Sequence, residues 1–476
     1  MVPKDVREFI TTLESTGDLV RIREAVDWEL EVGAISRRSS ELGGPAVLFE
    51  QVKEYPEGFR ILGGPLATWR RLAIALELSA ETSVREIHRV YEERVKHPVK
   101  PVVVKSWSHR RHIMQCNDID LFRFPAPLCH ELDGGRYIGT WDVVVCRDPD
   151  TGWTNWGMYR FMVHNRRFLV GAPSPASHLG MLLKQKFIPT GQPMPVAVVI
   201  GADPLCSLVA ATGFRPGESE ADFAGALRQE AVELIKCQSN DLLVPANAEI
   251  VIEGEVLPQA AAPEGPFGEY TGYRREADHL GVLMRVTAIT YRDSPILTMS
   301  CLGVPPDDSS VAGALGVSIG LKRRLLEHGL PVTDVFLPPE GASHLVVVGV
   351  KQGGSAMAQR VRDILTGRRA WYTKIMVVNE DVDVFDMRQV WHAFAVKCHS
   401  FRGIFLTQQE GVGSELTPCY SKEERERRVG AIALFDCTWP PEWSQSDIPV
   451  KMSFDEAYPA EVKNKVLNKW SRYGFK

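Results

Sequence analysis

With 476 residues, 44% of them hydrophobic and 24% charged, the chain has an ordinary globular composition and enough length for two or three domains with sizeable cores. A formal net charge of −5 gives no basic footprint for nucleic acid or an anionic membrane, so small molecules or further copies of the chain are the expected partners. The N-terminal "MVPKDVREFI" carries charges where a signal peptide needs an apolar stretch, no run of about 18 apolar residues could span a bilayer, and none of the nine cysteines forms a C-x-x-C pair. A cytoplasmic protein with reduced, mostly buried thiols is expected.

Residues 4 to 16 read as an amphipathic helix, with Val6, Phe9, Ile10 and Leu13 on one face, Pro3 at its start and Gly17 at its end. Short strands and helices follow to about 95, where Pro98 and Pro101 in "HPVKPVVVK" and the aperiodic stretch after it mark a boundary. From Tyr137 to about 300 short apolar strands dominate: "WDVVVC", "MYRFMVH", "RFLVGAP", "PVAVVIG", "EIVIEGEV" and "VLMRVTAITY". That pattern fits a barrel or a strongly twisted sheet. One helix interrupts it, with Ser219 as expected N-cap, Asp222 three residues on, and Phe223 and Leu227 on one side. A helix over 309–328 carries Val311, Leu315, Ile319 and Leu326 and ends at Gly329 before Pro331. Strands "DVFL", "HLVVVGV" and "KIMVVN" then alternate with helices at 354–366 and 387–398, the mark of an α/β layer.

Chemistry concentrates in two stretches. In "TNWGMYRFMVHNRR" a continuous strand would place Met158, Arg160, Met162 and His164 on one face, and a guanidinium on so apolar a side needs carboxylate or phosphate partners. In "EGPFGEYTGY" Glu264 and Glu269 stand five positions apart, a spacing that neither a helix nor a strand brings to one face. A turn through Gly265, Pro266, Phe267 and Gly268 could fold them onto a shared site, where one carboxyl holds a proton and the other a charge, as a general acid requires. A structural ion pair at Arg160 and two solvated loop glutamates are the alternatives. Asn155, His178 and Glu220 offer an amide oxygen, an imidazole and a carboxylate suited to Mn²⁺ or Mg²⁺, although spacing alone does not single them out. No Walker A, G-x-G-x-x-G or G-x-S-x-G motif is present, so a phosphorylated cofactor would need a metal plus a lysine such as Lys374, which otherwise reads as a strand-edge residue.

At these residues the chain resembles the UbiD family of reversible decarboxylases. The resemblance runs in order through "DIDLFRFPAP", "DGGRYIGT", "DPDTGWTNWGMYR", "ESEADFAGALR", "VPANAEIVIEG", "EGPFGEY" and "FDCTWP". It implies a prenylated FMN cofactor held through Mn²⁺, with K⁺ nearby; metal ligands Asn155, His178 and Glu220; a flavin lining of Met158, Tyr159, Arg160, Ser177 and His178; Lys374 on the phosphate side; and an Arg160–Glu264–Glu269 catalytic network. Leu416-Thr417-Pro418 stands where many relatives carry Leu-Asp-Pro. The architecture implied is a multidomain α/β protein: an N-terminal α/β domain (1–115), a central split β-barrel of flavin reductase type (116–308), a connecting helix (309–330) and a C-terminal α/β domain (331–476) that forms a homodimer or higher homo-oligomer. The expected reaction is decarboxylation of an aromatic, heteroaromatic or α,β-unsaturated acid to CO₂, with a flavin prenyltransferase as cofactor supplier. A flavin oxidoreductase and a non-catalytic cofactor-binding or assembly protein of the same fold are the alternatives.

Overall fold

The computed structural model describes residues 2–105, 112–274, 279–366, 371–410, 416–427 and 429–475. The first helix, Val6–Ser15, buries Val6, Phe9, Ile10 and Leu13 as expected; Asp5 caps it by accepting from the Arg7 and Glu8 amides. It lies beside a four-stranded sheet in the order Leu19–Ile22, Ala46–Phe49, Arg60–Gly63, Ile296–Met299. The last of these strands comes from far along the chain and pairs in parallel with Arg60–Gly63.

The middle of the chain forms one sheet whose strands follow the order Tyr137–Gly139, Phe161–Asn165, Phe168–Gly171, His279–Tyr291, Ile250–Glu264, Met194–Ile200, Asp142–Arg147, Thr154–Gly157, with His112–Gln115 also pairing His279–Tyr291. Thr154–Gly157 and Phe161–Asn165 stand six strand positions apart in this order, roughly 29 Å in a flat sheet. Only residues 158–160 join them, and such a link reaches at most about 14 Å. The sheet must therefore curl until its two ends meet, and Arg160 lies in the seam. Both faces are covered. Val144, Val198, Ile252 and Met284 pack in one buried cluster and Val143, Val145, Ala197 and Val199 in another.

The final third holds a five-stranded sheet, Val332–Phe336, Leu345–Val350, Lys374–Asn379, Val429–Cys437, Ile404–Glu410, flanked by helices Ser355–Leu365 and Met387–Lys397. The connection into it is a π-helical turn, Ser309–Gly313, running into the helix Ala314–Glu327, with Gly329 left-handed at φ 73°.

Three expectations need correction. Residues 158–160 are not strand, so Met158, Arg160, Met162 and His164 do not share a face by alternation; the chain is leaving one end of the sheet for the other. Leu326 is 45% exposed and Leu325 is buried instead, because the end of the connecting helix packs Leu325 into the core of the C-terminal sheet. Sheet pairing also crosses the expected boundaries at 115 and 308, because His112–Gln115 joins the central sheet and Ile296–Met299 joins the N-terminal one. Periodicity identifies a strand but not its partner, which explains that last difference.

Candidate active site

Strand Ile250–Glu264 delivers Glu264 as its last residue, opposite His279 on the neighbouring strand. Gly265 then turns the chain at φ 85°, with a cis peptide to Pro266, and Phe267 is buried. The turn brings Glu269 back toward Glu264, and both carboxylates reach Arg160 from the seam. Arg160 Nε donates to Glu264 Oε1 at 2.8 Å and Nη2 donates to Oε2 at 2.9 Å, a bidentate fork, while Nη1 donates to Glu269 Oε1. Glu264 is 0% and Glu269 4% exposed, which excludes the reading of two solvated loop glutamates. The guanidinium also lies 4.9 Å from the Phe267 ring centre.

Two further side chains grip Glu264. Tyr137 Oη donates to Oε1 at 2.7 Å, and His279 Nε2 stands 2.8 Å from Oε2. Burial alone would raise the Glu264 carboxyl, but His279, Arg160 and Tyr137 outweigh it and hold it down at about 2. Burial and the Glu264 anion push the Tyr137 hydroxyl up, so it stays a donor. Arg160 is raised above its already high value because its two carboxylates override desolvation. Neither Tyr137 nor His279 was singled out in sequence. The strand register that sets His279 against Glu264 is the signal that finds it.

A second cluster forms across the same segment. His178 opens the short helix His178–Leu182, capped by Ser177, and its Nδ1 donates to Asn155 Oδ1 at 2.7 Å. Glu220 opens the helix Glu220–Arg228, whose N-cap is Ser219 as expected, and accepts the Trp156 amide at 3.1 Å. The Tyr159 hydroxyl accepts the Leu179 amide at 3.2 Å, fastening the seam to the His178 helix. Glycine is required at 157, where a Cβ would stand 2.4 Å from the Tyr159 ring. Glu220 is 1% exposed, and burial pushes its carboxyl up to about 8, with the Trp156 amide only partly offsetting. No cation acts on it among the described residues. A buried carboxylate beside an amide oxygen and an imidazole is a donor set that a small divalent cation would complete.

The structure thus brings Arg160, Glu264 and Glu269 together; Asn155 and His178 meet directly, and Glu220 reaches the same strand through the Trp156 amide, with Tyr159 tied to the His178 helix. Lys374 is joined to neither group by a hydrogen bond or ion pair among the described residues; it opens the strand Lys374–Asn379, and its Nζ donates to Thr373 Oγ1 at 3.1 Å. Its backbone amide donates to His344 O, and the His344 ring stacks 6.3 Å from that of Tyr270, the residue after Glu269. His344 Nε2 is 3.3 Å from Thr417 Oγ1, so the departure at 416–418 falls on this wall.

The curled sheet thus converges an arginine and two buried acids at its seam, an arrangement open to acid–base chemistry. Sequence relationships identify it further. Residues 10–90, 102–305 and 311–437 match the N-terminal, Rift-related and C-terminal domains of 3-octaprenyl-4-hydroxybenzoate carboxy-lyase. The chain is 33% identical to pyrrole-2-carboxylic acid decarboxylase of Pseudomonas aeruginosa, over 99% of this chain and 98% of the relative. It is 31% identical to ferulic acid decarboxylase 1 of Saccharomyces cerevisiae, with the same coverage. The closed form of Sedimentibacter hydroxybenzoicus vanillic acid decarboxylase superposes with a TM-score of 0.88 at 28% identity over 99% of both chains. An evolved dimeric form of the UbiD-class enzyme HmfF from Pelotomaculum thermopropionicum, in complex with prFMN, superposes with a TM-score of 0.80 at 27% identity, over 94% of this chain and 99% of that one. The chain belongs to the UbiD family and is a carboxy-lyase.

Proposed function

We propose that the protein catalyses reversible, non-oxidative decarboxylation of an aromatic, heteroaromatic or α,β-unsaturated carboxylic acid, with prenylated FMN as cofactor and Glu269 as the proton donor. One observation carries this reading: Arg160 spends two of its nitrogens on an anionic Glu264 and offers the third to Glu269. Glu264 is held ionised, so the proton that must come and go falls to Glu269. When bound, prenylated FMN supplies the electron sink for the pair released as CO₂ leaves. Arg160 orients the substrate carboxylate. The C–C bond breaks as CO₂ leaves, and the released pair takes up the proton of Glu269 at the carbon left behind; in carboxylation the same carboxylate removes it. Burial of the cluster keeps water from competing.

Asn155, His178 and Glu220 would hold Mn²⁺ at the cofactor phosphate, with K⁺ nearby, which supplies the cation that buried Glu220 lacks. Met158, Tyr159, Arg160, Ser177 and His178 would line the flavin within a split barrel, and Lys374 would serve its phosphate side. Relatives named for pyrrole-2-carboxylic and ferulic acids, and the aromatic rings of Phe267 and Tyr270 beside the acids, support a flat unsaturated substrate. Apolar side chains exposed along the C-terminal segment, including Met452, Leu467 and Tyr473, support a homodimer or higher homo-oligomer. No helix among the described residues is long and apolar enough to cross a membrane. An oxidoreductase or a non-catalytic assembly protein would have no use for the shared guanidinium.

The test is co-production with a flavin prenyltransferase followed by CO₂ release from a panel that includes pyrrole-2-carboxylate and ferulate. Glu269→Gln lowers turnover by about 10²- to 10⁴-fold; undiminished turnover contradicts the assignment. Chelation during reconstitution prevents cofactor loading, and complete loading without metal contradicts the Asn155–His178–Glu220 site.

A further inference from the structure

The segment 129–134, "CHELDG", takes no part in the chemistry above, yet it cradles the turn between the two acids. Asp133 Oδ1 accepts the Gly268 amide, one residue before Glu269, at 2.9 Å. Its other oxygen accepts from His130 Nδ1 at 2.9 Å and from the His130 amide at 3.2 Å, and the side chain is fully buried. His130 Nε2 faces Cys301 Sγ at 3.6 Å. At the other end of the turn the Gly134 amide donates to Pro266 O at 2.7 Å. The fit is close on both sides. A Cβ on Gly134 would stand 1.9 Å from Gly265 O, and one on Gly268 would stand 2.5 Å from the His130 ring. Beyond Glu269 the chain is closed by its own amide donating to Tyr273 O at 3.2 Å.

We infer that Asp133, oriented by His130 and through it by Cys301, is a positioning residue that fixes the Gly268 amide and thereby sets Glu269 against Arg160. The inference rests on the reading of Glu269 as proton donor. A buried carboxylate bonded to a backbone amide is a stiff anchor, since the charge-assisted bond is about twice as strong as a neutral one and both oxygens are committed. Burial would lower His130, but Asp133 and Cys301 override it and raise it to about 10, so the ring stays an imidazolium that locks Asp133 in place. The Cys129 thiol, together with His130 and Arg37, holds the Cys301 thiol down at about 6 despite burial. Asp133, His130 and Cys301 thus stand in line behind the turn, with successive contacts of 2.9 Å and 3.6 Å.

The experiment compares Asp133→Ala, Asp133→Asn, His130→Gln, Cys301→Ser and Glu269→Gln in the cofactor-loaded enzyme, with thermal melting to establish that each folds. Asp133→Ala should lower kcat by about 10- to 100-fold with KM within about twofold of wild type. Asp133→Asn, which keeps an oxygen for the Gly268 amide, should recover most of that loss, and His130→Gln and Cys301→Ser should have progressively smaller effects. A crystal structure of unliganded Asp133→Ala should show Glu269 parted from Arg160 Nη1. Wild-type kcat in Asp133→Ala, alongside a disabled Glu269→Gln, overturns the inference and leaves the decarboxylase reading intact; so does an unmoved Glu269 in that crystal structure. Full turnover by Glu269→Gln overturns the reading on which the inference rests.

Discussion

The two acid clusters on either side of residues 155–160 are built from the same materials and left in opposite electrostatic states. At Arg160 a buried carboxylate is saturated: Glu264 has a guanidinium, a phenol and an imidazole around it and is held at about 2. Five residues away in the chain, Trp156 beside Asn155 donates its amide to an equally buried carboxylate, Glu220, which burial pushes up to about 8. The first cluster is complete as the chain folds. Under the proposed function the second would become favourable when Mn²⁺ binds, one region then being preorganised for catalysis and the other for loading.

The strongest way to break this contrast is to remove the cation from the saturated side. Arg160→Met strips two buried carboxylates of their shared guanidinium and should cost about 3–5 kcal/mol in urea unfolding at neutral pH, with loss of turnover. If stability is unchanged, the cluster does not hold the seam. On the other side, Glu220 has its folded carboxyl above the unfolded value of 4.5, so the folded state binds the extra proton and metal-free protein should lose stability as pH rises from about 4.5 to about 8. That loss is on the order of 5 kcal/mol; Glu220→Gln should abolish the slope, and Mn²⁺ should raise the melting temperature of wild type but not of the variant.

The sign reverses at Glu264. Its folded carboxyl lies below the unfolded 4.5, so its contribution is present above that pH and disappears as pH falls toward about 2, roughly 3 kcal/mol in all. Glu264→Gln, measured by urea unfolding across this range, should flatten the acid limb while leaving the limb due to Glu220 in place. The smallest effect is expected at Lys374→Ala. This lysine is exposed and, among the described residues, its side chain is hydrogen-bonded only to Thr373, so stability should stay within about 0.5 kcal/mol. A lower flavin content after reconstitution would support its place on the phosphate side.

How much of this was legible in sequence depended on the range of the interactions. The Ser219 cap, the first helix and the alternating strands are local and were found where expected. The partnership of Glu264 and Glu269 was also readable, because a turn of Gly265 to Gly268 is the local device that defeats a five-residue spacing. Arg160 was correctly suspected for a wrong reason. It does not alternate with Met158 and Met162 along a strand; it crosses from one end of a curled sheet to the other, and only the strand order reveals that the ends must meet. Tyr137, His279 and Asp133 reach the acids through pairings between distant segments, for which the sequence has no local mark. The Asn155, His178 and Glu220 set rests on family resemblance, not on spacing.

Deuterium incorporation tests the central claim most directly. With cofactor-loaded enzyme in D₂O, using whichever panel acid releases CO₂, wild type should place one deuterium on the carbon that lost the carboxyl group, and Glu269→Gln should give neither labelled product nor CO₂ at a comparable rate. Labelled product formed by Glu269→Gln as fast as by wild type would contradict the account.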